Sequence, residues 1–417
     1  MAKFIINGNK PLNGEITVAG SKNAVLPMMA ACLLTADECI LTNVPKIRDV
    51  ETMASLLSDL GAEVSLGDHR LSIRAAKLSK TEVNPDLAAK LRGSILLLGP
   101  LLARKKKAAM ILPGGDLIGK RPVDAHLRAF EDLGAEVRQG NGIELNCEQL
   151  TGNKIVLIES SVTATENALM AAVLASGTTI IKLAAMEPHV QALCEFLNRM
   201  GAKISGIGSP TLVVEGALEL HGATAELIPD SNEAAGFITL AAATKSDVVI
   251  SRLNPEFMED FLLKLRQMHV NFETGKDYIH VSPSQKPYTG SKIQSGLYPK
   301  LASDDMPPMA VLATQAEGES YIFEWLYENR LSYVQQLKKM GANAEVLDSH
   351  QVKIAGVTPL HGAKIIGLDI RMGMTMIIAA LVATGQSEIG GVEHIDRGYE
   401  RLEERLQSLG ADIKRID

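Results

Sequence analysis

Leu60-Gly61-Ala62-Glu63 separates an amphipathic run that ends at Leu60 from an alternating run that begins at Glu63. A glycine just past a helix can take the left-handed conformation that ends one. The tag therefore predicts a helix, a left-handed cap and then a strand. It recurs at Leu133-Gly134-Ala135-Glu136, Met200-Gly201-Ala202-Lys203, Met340-Gly341-Ala342-Asn343 and Leu409-Gly410-Ala411-Asp412. A degenerate copy, Met268-His269-Val270-Asn271, fills the one gap. Successive spacings from position 61 are 73, 67, 68, 72 and 69. The chain is thus six copies of a unit of about 70 residues. His269 departs from the pattern, so another cap or local strain must serve there.

The first copy sets the template. Residues 15–19 alternate as a strand, and residues 22–34 are apolar all round, as in a buried helix. Residues 39–44 form a second strand. Residues 49–60 place Met53, Leu56, Leu57 and Leu60 on one helical face. Glu63–Leu66 and residues 71–74 make a hairpin around Gly67-Asp68. The order is βαβαββ. The other copies follow it, although the opening strand of the second, before Pro85, is weak.

Six such units predict a pseudo-symmetric α/β protein with half-buried sheets around very apolar helices. Three units per domain is the simplest division. In this division the N-terminal strand pairs with the C-terminal half, which gives chain crossings near residues 20 and 230. The expected domains are residues 21–229, and 1–20 with 230–417. A continuous six-unit solenoid is the alternative on periodicity alone.

Composition narrows the function. Charged residues are 22% and apolar residues 46% of the 417, as in an ordinary globular chain long enough for two domains. The apolar stretches 24–34 and 94–102 are too short to span a bilayer. The alternating N-terminus does not resemble a signal peptide. Cys32, Cys39, Cys147 and Cys194 lack metal-ligand or CxxC spacing, which fits a reducing cytoplasm and no metal. The net charge of −7 and 4% aromatic content argue against nucleic acid, but a local cation cluster could still hold a small anion.

Four segments carry candidate chemistry. Pro113-Gly114-Gly115-Asp116-Leu117-Ile118-Gly119-Lys120-Arg121-Pro122-Val123-Asp124 combines three glycines, two cations and a carboxylate in a loop that could approach an anion. Pro122 would open a helix at its first turn. Ser21-Lys22-Asn23 puts a lysine at a helix N-terminus, which is unfavourable unless an anion shares the site; a solvated lysine is the plain alternative. His394-Ile395-Asp396-Arg397-Gly398 sets an arginine beside glycine between a strand and a helix, suited to phosphate or carboxylate. Ser303-Asp304-Asp305-Met306-Pro307 precedes an apolar helix. Its aspartates could be caps, or one a general base. Asp369 and Arg371 hold the equivalent place in the last unit, where a mutual ion pair is the plain reading. A site in the cleft between domains follows. Walker, dinucleotide-binding, HExxH and GxSxG motifs are absent.

Gly20-Ser21-Lys22-Asn23-Ala24, residues 112–124, Asp369 to Arg371 and His394 to Arg401 together resemble the enolpyruvyl transferases, from end to end of the chain. The resemblance implies an inverted α/β barrel of two globular domains. It implies transfer of the enolpyruvyl group of phosphoenolpyruvate to the 3′-hydroxyl of UDP-N-acetylglucosamine, with release of phosphate, as the first committed step of peptidoglycan synthesis. No cofactor is implied. Lys22, Arg121 and Arg397 would hold the phosphate and carboxylate of phosphoenolpyruvate. Asn23 and Asp305 would face the sugar. Arg92, Arg121, Pro122, Val123, Asp124, Ala125, Ser161, Val162 and Leu326 would line the UDP-sugar site. Arg330, Asp369 and Arg371 would support the closed cleft. Asp116 stands where most members carry a cysteine, the general acid and the target of the epoxide antibiotic fosfomycin. Some members carry aspartate, which implies an active enzyme resistant to that compound. Glu159 and Thr163 also depart from the commoner lysine and glycine. An enolpyruvyl transferase for another acceptor and a non-catalytic UDP-sugar-binding paralogue stay open as alternatives.

Overall fold

The computed structural model describes residues 2–114, 121–328, 330–367 and 369–416. The chain forms two compact units: residues 20–114 with 121–228, and residues 2–19 with 229–416. Each has its own apolar core, the first containing Leu33, Phe130 and Phe196 and the second Phe4, Phe237 and Tyr333.

The third repeat shows the unit at its most regular. Lys154–Val156 leads into the helix Val162–Ala172, and Thr178–Lys182 into the helix Pro188–Arg199. The hairpin Lys203–Ser205 and Thr211–Glu215 follows. In the sheet, Thr178–Lys182 is parallel to Lys154–Val156 and antiparallel to Thr211–Glu215. The first helix is buried on every side and encloses nine residues from Ala164 to Ala172, the polar Thr165, Glu166 and Asn167 among them. The second buries one face, through Val190, Leu193, Cys194, Phe196 and Leu197. A helix without a polar face must sit inside, and an amphipathic one must cover the sheet from outside.

All five tag glycines have positive φ, from 93° at Gly134 to 105° at Gly61. His269 takes the same left-handed backbone, at φ 64°. The histidine therefore keeps the capping geometry and accepts the strain of a Cβ there. Its ring meets the Thr289 hydroxyl at 3.1 Å.

Among the described residues there are five four-stranded sheets and one three-stranded sheet. The incomplete one belongs to the second repeat, whose opening strand shrinks to a single bridge between Glu82 and Ala109. Asn84 and Pro85 start a short helix at once and cut that strand off.

The opening strand of the first repeat differs from the template. Asn13–Thr17 does not join the sheet of its own repeat. It runs parallel to Asp247–Ser251 in the fourth, and Thr224–Glu226 takes the vacated place beside Glu38–Thr42. A parallel edge strand is one short apolar run whichever sheet receives it, so periodicity alone cannot assign it. Lys3–Asn7 inserts antiparallel between Gln386–Gly390 and Asp412–Ile416, completing the last sheet from the other end of the chain. No helix among the described residues is long and apolar enough to cross a membrane.

Candidate active site

In the unit that holds the C-terminus, three helix starts converge on two adjacent carboxylates. Asp304 and Asp305 lie on the short turn Ser303–Asp305, ahead of the buried helix Met306–Thr314. Neither side chain caps that helix. Asp304 receives Arg330 Nη2 at 2.6 Å and Arg371 Nε at 2.8 Å. Both arginines are buried. Burial alone would raise the Asp304 pKa, but the two guanidinium charges outweigh it and hold the carboxyl well below the usual range.

Asp305 is driven the other way. Burial is the largest cause, partly offset by a hydrogen bond from Asn232 Nδ2 at 2.9 Å, with the Asp304 charge also raising it; the pKa is pushed up to about 7. Neighbouring carboxyls tuned apart in this way divide the labour: one is a fixed anion and the other can carry a proton near neutral pH.

The arginines are themselves held. Arg330 Nη1 donates to Ser303 Oγ at 3.0 Å, and Ser303 Oγ donates to the buried Glu324 at 2.6 Å. Arg371 Nη1 donates to Tyr399 Oη at 3.2 Å. The plain reading of Asp369 and Arg371 as an ion pair is corrected here. Asp369 caps the helix Ile370–Val382, accepting from the backbone N–H groups of Arg371 and Met372 at 2.9 Å each, while the Arg371 guanidinium turns to Asp304. Leu326 is partly exposed, and its N–H is fixed by Glu324 Oε1 at 2.8 Å. Arg397 is half-buried on the turn after the helix Val392–Ile395. Gly398 beside it packs on Ile370, where a Cβ would come within 2.6 Å of Cγ2.

In the other unit, Ser21 caps the helix Lys22–Ala31, accepting from the Ala24 N–H at 3.3 Å. A Cβ on Gly20 would overlap the Asn43 carbonyl oxygen, so the sequence before Lys22 needs its glycine. Lys22 is not the solvated lysine of the plain reading: its ammonium lies 2.8 Å from the buried Asp49 carboxylate. Asn23 follows, half-buried, on the same first turn.

Arg92 ties the two stems of the glycine-rich loop together, donating to the carbonyl oxygens of Pro113, at 3.4 Å, and Arg121. Gly114 also donates to the Ala88 carbonyl at 3.2 Å, and a Cβ there would overlap Ala89. Close backbone packing therefore requires a glycine at this position. Asp116 and the rest of residues 115–120 lie outside the described residues. The helix expected at Pro122 begins two residues later, at Asp124, with Val123 as cap; Ala125 is already buried in it.

Ser161 caps the helix Val162–Ala172. Thr163 occupies its first turn against His126, which no motif or spacing singled out. Asn167 Nδ2 donates to His126 Nδ1 at 2.9 Å while also bonding the Ile95 carbonyl. The other ring nitrogen, Nε2, therefore carries the proton toward Thr163 Oγ1, 3.1 Å away. Burial, with the Arg92 charge, pushes the His126 pKa down to about 3, so the ring is neutral. Asn232 was also missed, and Asp304 was read as a cap or a base rather than as the partner of two arginines. Their only sequence signal was proximity to a helix start.

In the unit that holds the C-terminus, a carboxyl able to carry a proton near neutral pH thus stands beside one held as an anion, an arrangement suited to acid–base chemistry in a group-transfer enzyme. The chain belongs to the EPSP synthase (3-phosphoshikimate 1-carboxyvinyltransferase) family, whose pattern matches residues 6–406. Among its members it is similar to a UDP-N-acetylglucosamine 1-carboxyvinyltransferase of Koribacter versatilis, 43% identical over 423 residues that cover 100% of this chain and 97% of that one. It is similar as well to the enzyme of the same name from Borrelia garinii subsp. bavariensis, at 40% identity, with coverage of 100% and 99%. Solved structures share the fold: the enolpyruvyl transferase NikO from Streptomyces tendae has a TM-score of 0.90 at 24% identity, with coverage of 99% and 98%. EPSP synthase from Acinetobacter baumannii has a TM-score of 0.79 at 20% identity, over 100% of both chains.

Proposed function

We propose that the protein transfers the enolpyruvyl group of phosphoenolpyruvate to the 3′-hydroxyl of UDP-N-acetylglucosamine and releases phosphate. The observation that carries the chemistry is the buried Asp305, whose pKa lies near neutrality beside an Asp304 held as an anion. The acceptor follows from full-length similarity to the two named relatives.

Asp116 protonates C3 of phosphoenolpyruvate, which makes C2 electrophilic. Asp305 takes the 3′-hydroxyl proton as that oxygen bonds to C2. The tetrahedral adduct then loses phosphate and a proton from C3, which restores the double bond. Lys22, Arg121 and Arg397 hold the phosphate and carboxylate and stabilise the charge that moves in both steps. Asn23 orients the sugar. Arg92 acts through the loop stems, and residues 121–125 with Ser161, Val162 and Leu326 contact the nucleotide sugar. Arg330, Asp369 and Arg371 keep the Asp304–Asp305 turn in place. The activity would serve peptidoglycan synthesis, and hence cell shape and division, in the cytoplasm. An aspartate at position 116 is a far weaker nucleophile toward an epoxide than a thiolate, so fosfomycin should not inactivate the enzyme in a time-dependent way, and Asp116→Cys should make it do so.

Phosphate release from phosphoenolpyruvate, measured with and without UDP-N-acetylglucosamine, tests the reaction. Release that needs both compounds is expected. Binding of both without release would overturn the proposal, and release only with a different alcohol would reassign the acceptor.

A further inference from the structure

Asp305 is enclosed by groups from three elements. Asp304 shares its turn, Asp230 precedes the helix Ser231–Ala243, and Arg371 comes from the helix Ile370–Val382. Among the described residues one side chain is hydrogen-bonded to its carboxylate: Asn232, the second residue of the helix Ser231–Ala243, whose Nδ2 reaches Oδ1 at 2.9 Å. Oδ2 accepts no hydrogen bond from the described residues. The helix is capped by Asp230, which accepts from the Glu233 N–H at 2.9 Å. Glu233 is in turn held by Arg405 at 2.7 Å and by the Ala19 N–H at 2.7 Å. Asn232 is thus presented from a rigid helix start, anchored on both sides in the sequence.

We infer that Asn232 is the positioning residue of the base: it holds the Asp305 carboxylate by Oδ1 and leaves Oδ2 as the oxygen that takes the acceptor proton. An N–H donor to a carboxylate favours the charged form. Asn232 therefore opposes the burial and the like charges of Asp304 and Asp230, and keeps the base ionised in the neutral range. Without the amide the carboxyl could rotate, and it would hold its proton to higher pH. The inference rests on the reading of Asp305 as general base.

The test is the pH profile of kcat/KM for phosphate release in the full-length enzyme with both substrates saturating in turn. Asn232→Leu should move the acidic limb up by about one pH unit, with roughly a tenfold loss below the limb and convergence with the parent enzyme above it. The KM for phosphoenolpyruvate should change less than about twofold. Asn232→Asp, nearly isosteric, should move the limb further in the same direction and decides the matter if the leucine variant fails to fold. Asn232→Gln keeps a donor and should restore part of the shift. An unmoved limb, or an equal loss at every pH, would overturn the role given to Asn232. Asp305→Asn separates the two levels: loss of turnover with that variant and an unmoved limb in the Asn232 variants would sink this inference alone. Retained turnover in Asp305→Asn would instead remove the base itself.

Discussion

Replacing Asp304 by asparagine removes one negative charge from between two buried arginines. Arg330 and Arg371 donate to opposite carboxylate oxygens at 2.6 and 2.8 Å and are 6% and 7% exposed. At charge separations near 4 Å and an effective dielectric of about 20, each attraction is on the order of 4 kcal/mol before desolvation is counted. Asparagine can accept from one arginine, but its NH2 group faces the other. Removing one partner of a buried ionic cluster typically costs about 3–5 kcal/mol, because the remaining charges stay buried. For a unit of this size that corresponds to a fall in Tm of roughly 6–20 °C. The chain's one tryptophan, Trp325, lies in the same unit, so its fluorescence follows that unit's unfolding. Acid should reproduce the loss in the parent protein. The folded pKa of Asp304 is depressed, so its contribution is complete above the unfolded value near 3.9 and disappears as pH falls toward the folded one. An Asp304→Asn midpoint within about 2 °C of the parent would refute the claim that this carboxylate neutralises the pair.

Three other outcomes follow from the same contacts. Asp305→Asn should abolish turnover yet raise stability at pH 8 by about 1–3 kcal/mol, because the raised pKa means the ionised carboxylate is disfavoured in the folded chain. The gain should vanish by about pH 4, where the parent Asp305 is protonated, and urea melts at both pH values would show it. Lys22→Met should destabilise its unit by about 3 kcal/mol by taking the ammonium away from the buried Asp49 carboxylate, and adding Asp49→Asn should recover stability without recovering phosphate release; circular dichroism melts and turnover assays distinguish the two effects. His269→Gly should raise the urea midpoint read by Trp325, by about 0.5–1 kcal/mol, since glycine relieves the φ of 64° at the loss of the Thr289 contact; a lower midpoint would show that the contact matters more than the strain.

The sequence made some of this legible and hid the rest for physical reasons. A left-handed cap demands glycine, so Gly61, Gly134, Gly201, Gly341 and Gly410 advertised both the repeat and its helix ends. Apolar helices such as Met306–Thr314 announced their burial by lacking a polar face. Sheet membership was hidden, since Asn13–Thr17 carries no mark that its partner is Asp247–Ser251. Most of the site residues could be located at strand ends and helix starts, but their partners could not. Lys22 meets Asp49, Asp304 meets Arg371 and Asn232 meets Asp305, each across 27 to 73 residues of chain. Such pairings are made by the fold, and no local spacing encodes them. The difference between Asp304 and Asp305 is of the same kind: identical residues side by side, separated only by which one the arginines reach.

The placement of Lys3–Asn7 and Asn13–Thr17 has a consequence for synthesis on the ribosome. Residues 20–228 contain every strand of their own sheets, so that unit can close while the rest is still being made. Lys3–Asn7 and Asn13–Thr17 cannot. Asn13–Thr17 waits for Asp247–Ser251, and Lys3–Asn7 waits for Gln386–Gly390 and for Asp412–Ile416. At translation speeds of about 5–20 residues per second, that leaves the leading segment unpaired for roughly 20–80 seconds. One of its partners, Asp412–Ile416, is made about 400 residues after Lys3–Asn7, so the sheet that holds Lys3–Asn7 can be completed only once that strand has been made. The leading segment must therefore stay soluble as an open strand until then, which suits its short length and its polar interruption at Asn7, Gly8, Asn9 and Lys10.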